Sequence, residues 1–301
     1  MTDTSFSRDA MASTGGSLMP RPLGGLRYLA GPQDSRPGRS FGGRLVAEAM
    51  GAAAQTVDPA FMPHSAYAQF VAAGEQRSET TYVVEALRDG RSFSRRSVRV
   101  EQGGELIAIV LVSAAAEMAG GPSRHDAMAD VPRPGDLEDH SVGRDAGGNA
   151  RLSHLLWPRE HPVEIRPVNF PRAEADQPAR LSYWFRARPE LTDSADLAQR
   201  ACLIAYVTDR FAMTTPAMAH LSGFATHDFT RASLDHAVWI HRDHQPNGWL
   251  LYSIENPTLH GSRAYVRGEV FSEDGSHVAS VSQEGLFVVR PRKPQSIASE
   301  E

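Results

Sequence analysis

The sequence predicts an α+β fold in which an antiparallel sheet packs on one long helix, and in which that plan occurs twice. Three observations carry this. Within the stretch Asp196–Met213, residues Ala201 to Val207 are apolar without interruption, which suits a helix wrapped by protein on nearly every side. Strand-length runs follow each of two helices and are joined by Asp-Gly and Gly-Gly pairs, the signal of antiparallel hairpins. Superimposing Gly103-Gly104 on Asp274-Gly275 brings the flanking strands into register, which makes the second half an internal repeat of the first.

The length of 301 residues is comfortable for two domains of moderate size. An apolar share of 41% and a charged share of 22% are ordinary for a globular chain. A formal charge of −5 without a dense Lys/Arg run argues against a nucleic-acid partner. No segment approaches the roughly 18–20 apolar residues that span a bilayer, and the start lacks a basic-then-apolar signal pattern. The expectation is a cytoplasmic protein with no membrane partner. The single cysteine, Cys202, excludes an internal disulfide framework and a cysteine-rich metal site. Its apolar neighbours mark it as packing rather than a nucleophile.

Taken in order, residues 1–24 are rich in Ser, Gly, Thr and Pro and read as a disordered tail, since they have little to bury. Residues 25–117 form a first domain. Leu26–Ala30 is a short strand, and Phe41 opens a helix to about Gln55 whose Ala and Gly residues let a sheet approach closely. Strands follow at Ser65–Val71, Thr81–Leu87 and Ser92–Val100, with Asp89-Gly90 at the turn, and then Leu106–Val112. Residues 118–150 are dominated by Gly, Pro, Asp, Arg and His and read as a linker with room for one short helix. Residues 151–290 repeat the plan. Strands at Val163–Val168 and Leu181–Ala187 precede the long helix, which has Asp193 and Ser194 as N-cap candidates and Pro216 at its far end. Further strands lie near Arg231–His241, Trp249–Glu255, Arg263–Phe271 and His277–Val289, and residues 291–301 are a C-terminal tail.

Asp209 breaks the apolar row of the second helix, on the face of Cys202, Ala205 and Tyr206. A carboxylate there is costly to bury unless donors hold it or it has a task. The alternative is a helix that has turned to solvent at Asp209-Arg210. Both stand open at this level.

Seven segments, in order, resemble the acyl-CoA thioesterase II family. They are Phe41-Gly42-Gly43, Leu87 to Ser94, Glu164-Ile165-Arg166-Pro167, Tyr206-Val207-Thr208-Asp209, Asp235 to Arg242, Trp249 to Ser253 and Gln283-Glu284-Gly285. The resemblance spans Phe41 to Arg290. It implies two hot-dog domains in tandem, each an antiparallel sheet wrapped around a central helix, and hydrolysis of acyl-CoA thioesters to free acid and CoA. It also implies three catalytic residues that hold and activate a water: Asp209 on the helix, Ser233 on a strand and Gln283 on the last strand. The family has Thr where Ser233 stands. Serine keeps the hydroxyl and loses a methyl, which puts the rate in doubt more than the reaction type. No metal and no cofactor is implied, coenzyme A being part of the substrate, and a homo-oligomer is expected.

Those residue types suit the chemistry. Thioester hydrolysis needs a water about 3 Å from the acyl carbon, relieved of a proton as it attacks. A carboxylate accepts that proton, and a hydroxyl and an amide fix the water, while a thiolate leaves readily. Each has a plainer alternative: a solvated helix carboxylate, an ordinary strand hydroxyl, an amide facing water. Within the repeat Glu48 lines up with Asp209, but Val112 and Phe61 stand where Gln283 and Ser233 do. Glu48 is therefore expected to be a structural carboxylate or part of the acyl pocket wall. The Arg88–Arg99 hairpin is either a site for CoA phosphates or a solvated face. His64, His236 and His241 are expected to make structural hydrogen bonds, and Glu284 to face away from Gln283. Two other functions remain: a hot-dog lyase or hydratase pairing His236 with Asp209, and a non-catalytic acyl-thioester binder.

Overall fold

The computed structural model describes residues 18–33, 37–118, 120–137, 161, 163–169, 180–188, 196–218, 227–245 and 247–291. The first repeat comprises β1 (Arg21–Gly24), β2 (Arg27–Ala30), helix α1 (Gly42–Ala54), β3 (Phe61–Phe70), β4 (Thr80–Asp89), β5 (Phe93–Gln102) and β6 (Glu105–Ala116). The second comprises β7 (Val163–Pro167), β8 (Arg180–Ala187), helix α2 (Leu197–Thr208), the short helix α3 (Thr215–Met218), β9 (His227–Ser233), β10 (Asp235–Ile240), β11 (Leu250–His260), β12 (Arg263–Ser272) and β13 (His277–Pro291).

Alternation of buried and exposed residues, clearest in β5 and β12, gives the sheet one face toward the helices. The strands form one antiparallel sheet in the order β1-β2-β4-β5-β6-β3-β10-β13-β12-β11-β8-β7, with β9 pairing β13 beside that path. The repeats join where β3 meets β10, with Ala66 opposite Val238 and Ala68 opposite His236. Helix α1 is buried continuously from Gly43 to Ala53, and α2 from Ala201 to Thr208. The apolar collar at Ala201–Val207 has this cause, and the arrangement is the double hot-dog fold.

The repeat read from the turns holds residue by residue. Tyr28, Tyr82, Val100 and Ala108 lie side by side across β2, β4, β5 and β6. Tyr183, Tyr252, Val270 and Ala279 lie likewise across β8, β11, β12 and β13. Counting on from Ala108 and Ala279 sets Val112 against Gln283.

Several local expectations need correcting. Residues 1–17 lie outside the described residues, but the tail does not extend to residue 24. Leu18 is buried, β1 and β2 form a hairpin, and the Gln55 side chain donates to Pro20 O at 2.9 Å. One apolar anchor outweighs the Ser/Gly/Pro-rich composition around it. Part of the linker, from Met128 to Leu137, lies on the outer face of the second repeat's strands. Trp184 Nε1 donates to Pro132 O at 2.9 Å, and Met128, Val131 and Leu137 pack on Trp184, Leu251 and Phe271. Tyr183, Trp184 and Phe185 are therefore all buried, although strand alternation alone would expose one of them. Residues 138–160 and 292–301 lie outside the described residues.

The second helix is shorter than its apolar pattern predicts. Asp196 caps it, its carboxylate accepting from Gln199 N at 2.8 Å, whereas Asp193 and Ser194 lie outside the described residues. The chain leaves α2 at Asp209, and Pro216 sits inside α3 rather than ending α2. The strand expected at Arg231–His241 is broken at Leu234, because β9 and β10 pair different stretches of β13.

Candidate active site

Helix α1 begins without a side-chain cap of its own, its N-cap position being Phe41. That leaves the positive end of its dipole and its first N–H groups for something else. The C-terminal end of α2 supplies it. A Cβ on Gly43 would stand 2.6 Å from Tyr206 O and 3.0 Å from Asp209 Cβ, so only glycine permits this approach. Asp209 Oδ2 accepts the Gly43 N–H at 2.7 Å. As C-cap of α2, Asp209 sits at the helix end that disfavours a negative charge, and the start of α1 offsets that cost.

The other oxygen of the same carboxylate faces the strands. Asp209 Oδ1 accepts from Ser233 Oγ at 3.2 Å and from Gln283 Nε2 at 2.9 Å, and Gln283 Nε2 also donates to Ser233 Oγ at 2.7 Å. Asp209 and Gln283 are buried and Ser233 half-buried. Strand alternation turns Gln283 inward and Glu284 outward, where it pairs with Arg263 at 3.2 Å. The structure thus brings together Asp209, Ser233 and Gln283, and of the two possibilities for Asp209 it adopts the buried carboxylate held by donors. Aromatic packing fixes the turn, with Phe41 edge-on to Tyr206 at 5.2 Å and Tyr183 edge-on to Phe211 at 5.0 Å between ring centres.

Two neighbours of the site, Gly43 and Thr208, were not singled out from the sequence for a role in it, and a third, His236, was expected to make structural hydrogen bonds or, in the lyase or hydratase reading, to pair with Asp209. Gly43 donates as described. His236 bonds Gln283 Oε1 through Nδ1 at 2.7 Å and Thr208 Oγ1 through Nε2 at 3.2 Å, both side chains fully buried. Their signals were present as Phe41-Gly42-Gly43, Thr208-Asp209 and Asp235-His236, but nothing local says that these segments meet. His236 spends its ring nitrogens on Gln283 and Thr208 rather than on Asp209.

The remaining candidates stand outside this triangle. Glu48 is buried, bound by Arg44 Nε at 2.8 Å and Tyr82 Oη at 2.5 Å; burial pushes its carboxyl up, against the pull of Arg44. In the arginine hairpin, Arg96 turns inward to Thr56 Oγ1 at 2.7 Å and to Asp89 at 2.8 Å, while Arg88, Arg91, Arg95 and Arg99 stay exposed. His64 bonds Ser113 at 2.5 Å and His241 bonds Ser280 at 2.9 Å. Cys202 is fully buried, and burial pushes its thiol up. Among the described residues no three His, Cys, Asp or Glu side chains are grouped so as to hold a metal ion, and no helix is long and apolar enough to cross a membrane.

Comparison with known proteins identifies the family. A family model described as acyl-CoA thioesterase matches residues 153–286, and one described as acyl-CoA thioesterase N-terminal domain matches residues 31–117. Acyl-coenzyme A thioesterase 8 of Mus musculus is 33% identical over 270 residues, covering 86% of this chain and 83% of its own. The chain belongs to the acyl-CoA thioesterase family. Acyl-CoA thioesterase 2 of Haemophilus influenzae is 32% identical to this thioesterase, covering 82% of this chain and 87% of its own. The crystal structure of acyl-CoA thioesterase II TesB2 from Mycobacterium marinum superposes on the thioesterase with a TM-score of 0.72 at 29% identity, over 96% of this chain and 99% of that one.

Proposed function

We propose that this thioesterase hydrolyses acyl-CoA to free acid and CoA with a water activated by Asp209 and positioned by Ser233 and Gln283. The observation that carries the proposal is the closed triangle of hydrogen bonds among these three side chains. An ionised carboxylate offers about four acceptor positions. Gly43, Ser233 and Gln283 fill three at Asp209, leaving room for one more donor. Ser233 Oγ gives its proton to Asp209 and accepts from Gln283, so it too keeps one lone pair. A water that donates to both points its own lone pairs away from them, toward an acyl carbon brought alongside.

As the water's oxygen bonds to the acyl carbon, Asp209 takes its proton and the carbonyl electrons move onto oxygen. Collapse of that adduct breaks the C–S bond, and the thiolate leaves and takes up the proton. The positive end of α1 faces this region and favours the negative charge of the adduct. No cofactor enters this scheme. The names of the relatives, acyl-coenzyme A thioesterase 8 and acyl-CoA thioesterase 2, support CoA as the carrier.

The test is Asp209→Asn, assayed by release of free CoA thiol from acyl-CoA substrates of short to long chain. Turnover should fall by roughly 10²-fold or more with the fold retained. Undiminished turnover would overturn the assignment, and tight acyl-CoA binding without turnover by the parent chain would leave a binder instead.

A further inference from the structure

We infer that His236 is a positioning residue for hydrolysis: the proton on its Nδ1 sets which way the Gln283 amide points, and so aims both amide N–H bonds at Asp209 and Ser233. This rests on the Asp209/Ser233/Gln283 site proposed above. His236 is fully buried on β10, at the seam between the repeats, opposite Ala68 of β3. It therefore reaches no substrate and acts through Gln283.

The orientation follows from counting protons. Asp209 Oδ1 is an acceptor, so the Gln283 atom 2.9 Å from it is the NH2 group. The amide oxygen then faces the atom 2.7 Å away, His236 Nδ1, which must carry a hydrogen. On the far side of the ring, Thr208 Oγ1 lies 3.2 Å from Nε2 and 2.8 Å from Ile204 O, with one proton to give. Whichever way the Thr208 hydroxyl points, a ring carrying its hydrogen on Nε2 alone is excluded, because it would put two acceptors face to face at Gln283.

The consequence reaches the reacting water. A terminal amide has a broad torsional well and two nearly isosteric orientations. Flipped, Gln283 would turn its oxygen on the Asp209 carboxylate and take both donors from the triangle. The carboxylate opposes that flip from one side, and the Nδ1–H opposes it from the other. The chain Asp209–Gln283–His236–Thr208 is thus a single hydrogen-bonded line from the site to the last turn of α2.

The test uses the full chain with three variants. His236→Leu removes the donor, and His236→Asn returns an N–H near the place of Nδ1. His236→Leu in a Gln283→Ala background asks whether the effect passes through Gln283. With the fold checked by circular dichroism, His236→Leu should lower kcat by about tenfold or more while KM stays within about threefold. His236→Asn should restore most of the loss, and in the Gln283→Ala background His236→Leu should cost less than about twofold. Parent-like kcat in His236→Leu, or losses that multiply fully with Gln283→Ala, overturns the inference. If Asp209→Asn is inactive at the same time, the site proposal survives; an active Asp209→Asn removes both. Should His236→Leu not fold, the ¹⁵N shifts of the His236 ring in the parent chain decide. A protonated Nδ1 is expected, and a neutral Nε2–H ring overturns the inference.

Discussion

The Gly43 N–H donates to Asp209 Oδ2 at 2.7 Å, so a carboxylate from the second repeat caps a helix of the first. The proposed base and the helix end that steadies its charge therefore come from different halves of the chain. Each half lacks a piece the other provides.

That contact makes Gly43 a sensitive position. In Gly43→Ala the new methyl meets Tyr206 O at 2.6 Å and Phe41 Cζ at 2.8 Å, and backbone cannot yield as a side-chain tip can. The two helix ends must part. We expect a loss of about 1–3 kcal/mol in stability from overpacking, and a fall in kcat of roughly 10²-fold as Asp209 shifts. At Gly42 the nearest atom is the movable Phe70 Cζ at 2.8 Å, so Gly42→Ala should be milder. Denaturant melts and CoA-release rates check both; equal effects at the two glycines would refute this account.

The repeat supplies a matched pair of tyrosines. Tyr82 Oη donates to Glu48 at 2.5 Å, whereas Tyr252 Oη, at the corresponding place on β11, is buried without a hydrogen-bond partner among the described residues. Tyr82→Phe should destabilise the fold by about 1.5–3 kcal/mol, since it strips a donor from a buried charge. Tyr252→Phe should be neutral or stabilising by up to about 1 kcal/mol, because it removes an unsatisfied group. Urea unfolding of both variants is the measurement, and the reverse ranking would sink the comparison.

Two buried histidines predict acid lability. Burial, helped by the Arg210 and Arg188 guanidiniums, brings His161 down to about 3; burial brings His244 down to about 4 against the pull of Asp243. Both lie below the ordinary 6.5. A depressed folded value means that the unfolded chain takes up the proton first. The stability these residues contribute is therefore complete above pH 6.5, and is lost as pH falls toward about 4 for His244 and about 3 for His161. Each contributes at most about 1.4 kcal/mol per pH unit across its window. Unfolding midpoints measured from pH 7 to pH 4 should drop, and His244→Phe should flatten that drop. A profile unchanged by the substitution would contradict it.

Much of the architecture was legible along the chain. Helix α1, the hairpins around Gly103-Gly104 and Asp274-Gly275, and the register that sets Val112 against Gln283 all follow from periodicity and turn chemistry acting over a few residues. Glu48 is set apart from the site already in the sequence because its repeat partners lack the hydroxyl and the amide, and in the fold it is bound by Arg44 and Tyr82. The errors lie where a distant contact overrode the local signal. The buried Leu18 tied down a segment that looked like tail, and part of the segment read as linker packs on Trp184 through the Pro132 carbonyl and apolar side chains.

The sequence alone determined the α+β class, the internal repeat and, through its ordered motifs, the three side chains proposed for hydrolysis. Each of those is written in short-range patterns or in recognisable segments. Only the tertiary structure decided that Asp209 leaves its helix to cap α1, that Ser233 and Gln283 close on one of its oxygens, and that His236 backs the amide. The Gly43–Asp209 bond spans 166 positions and the Gln283–Asp209 bond 74. Over such distances a hydrogen bond leaves no periodic trace in the chain, because folding rather than neighbouring sequence brings its donor and acceptor together.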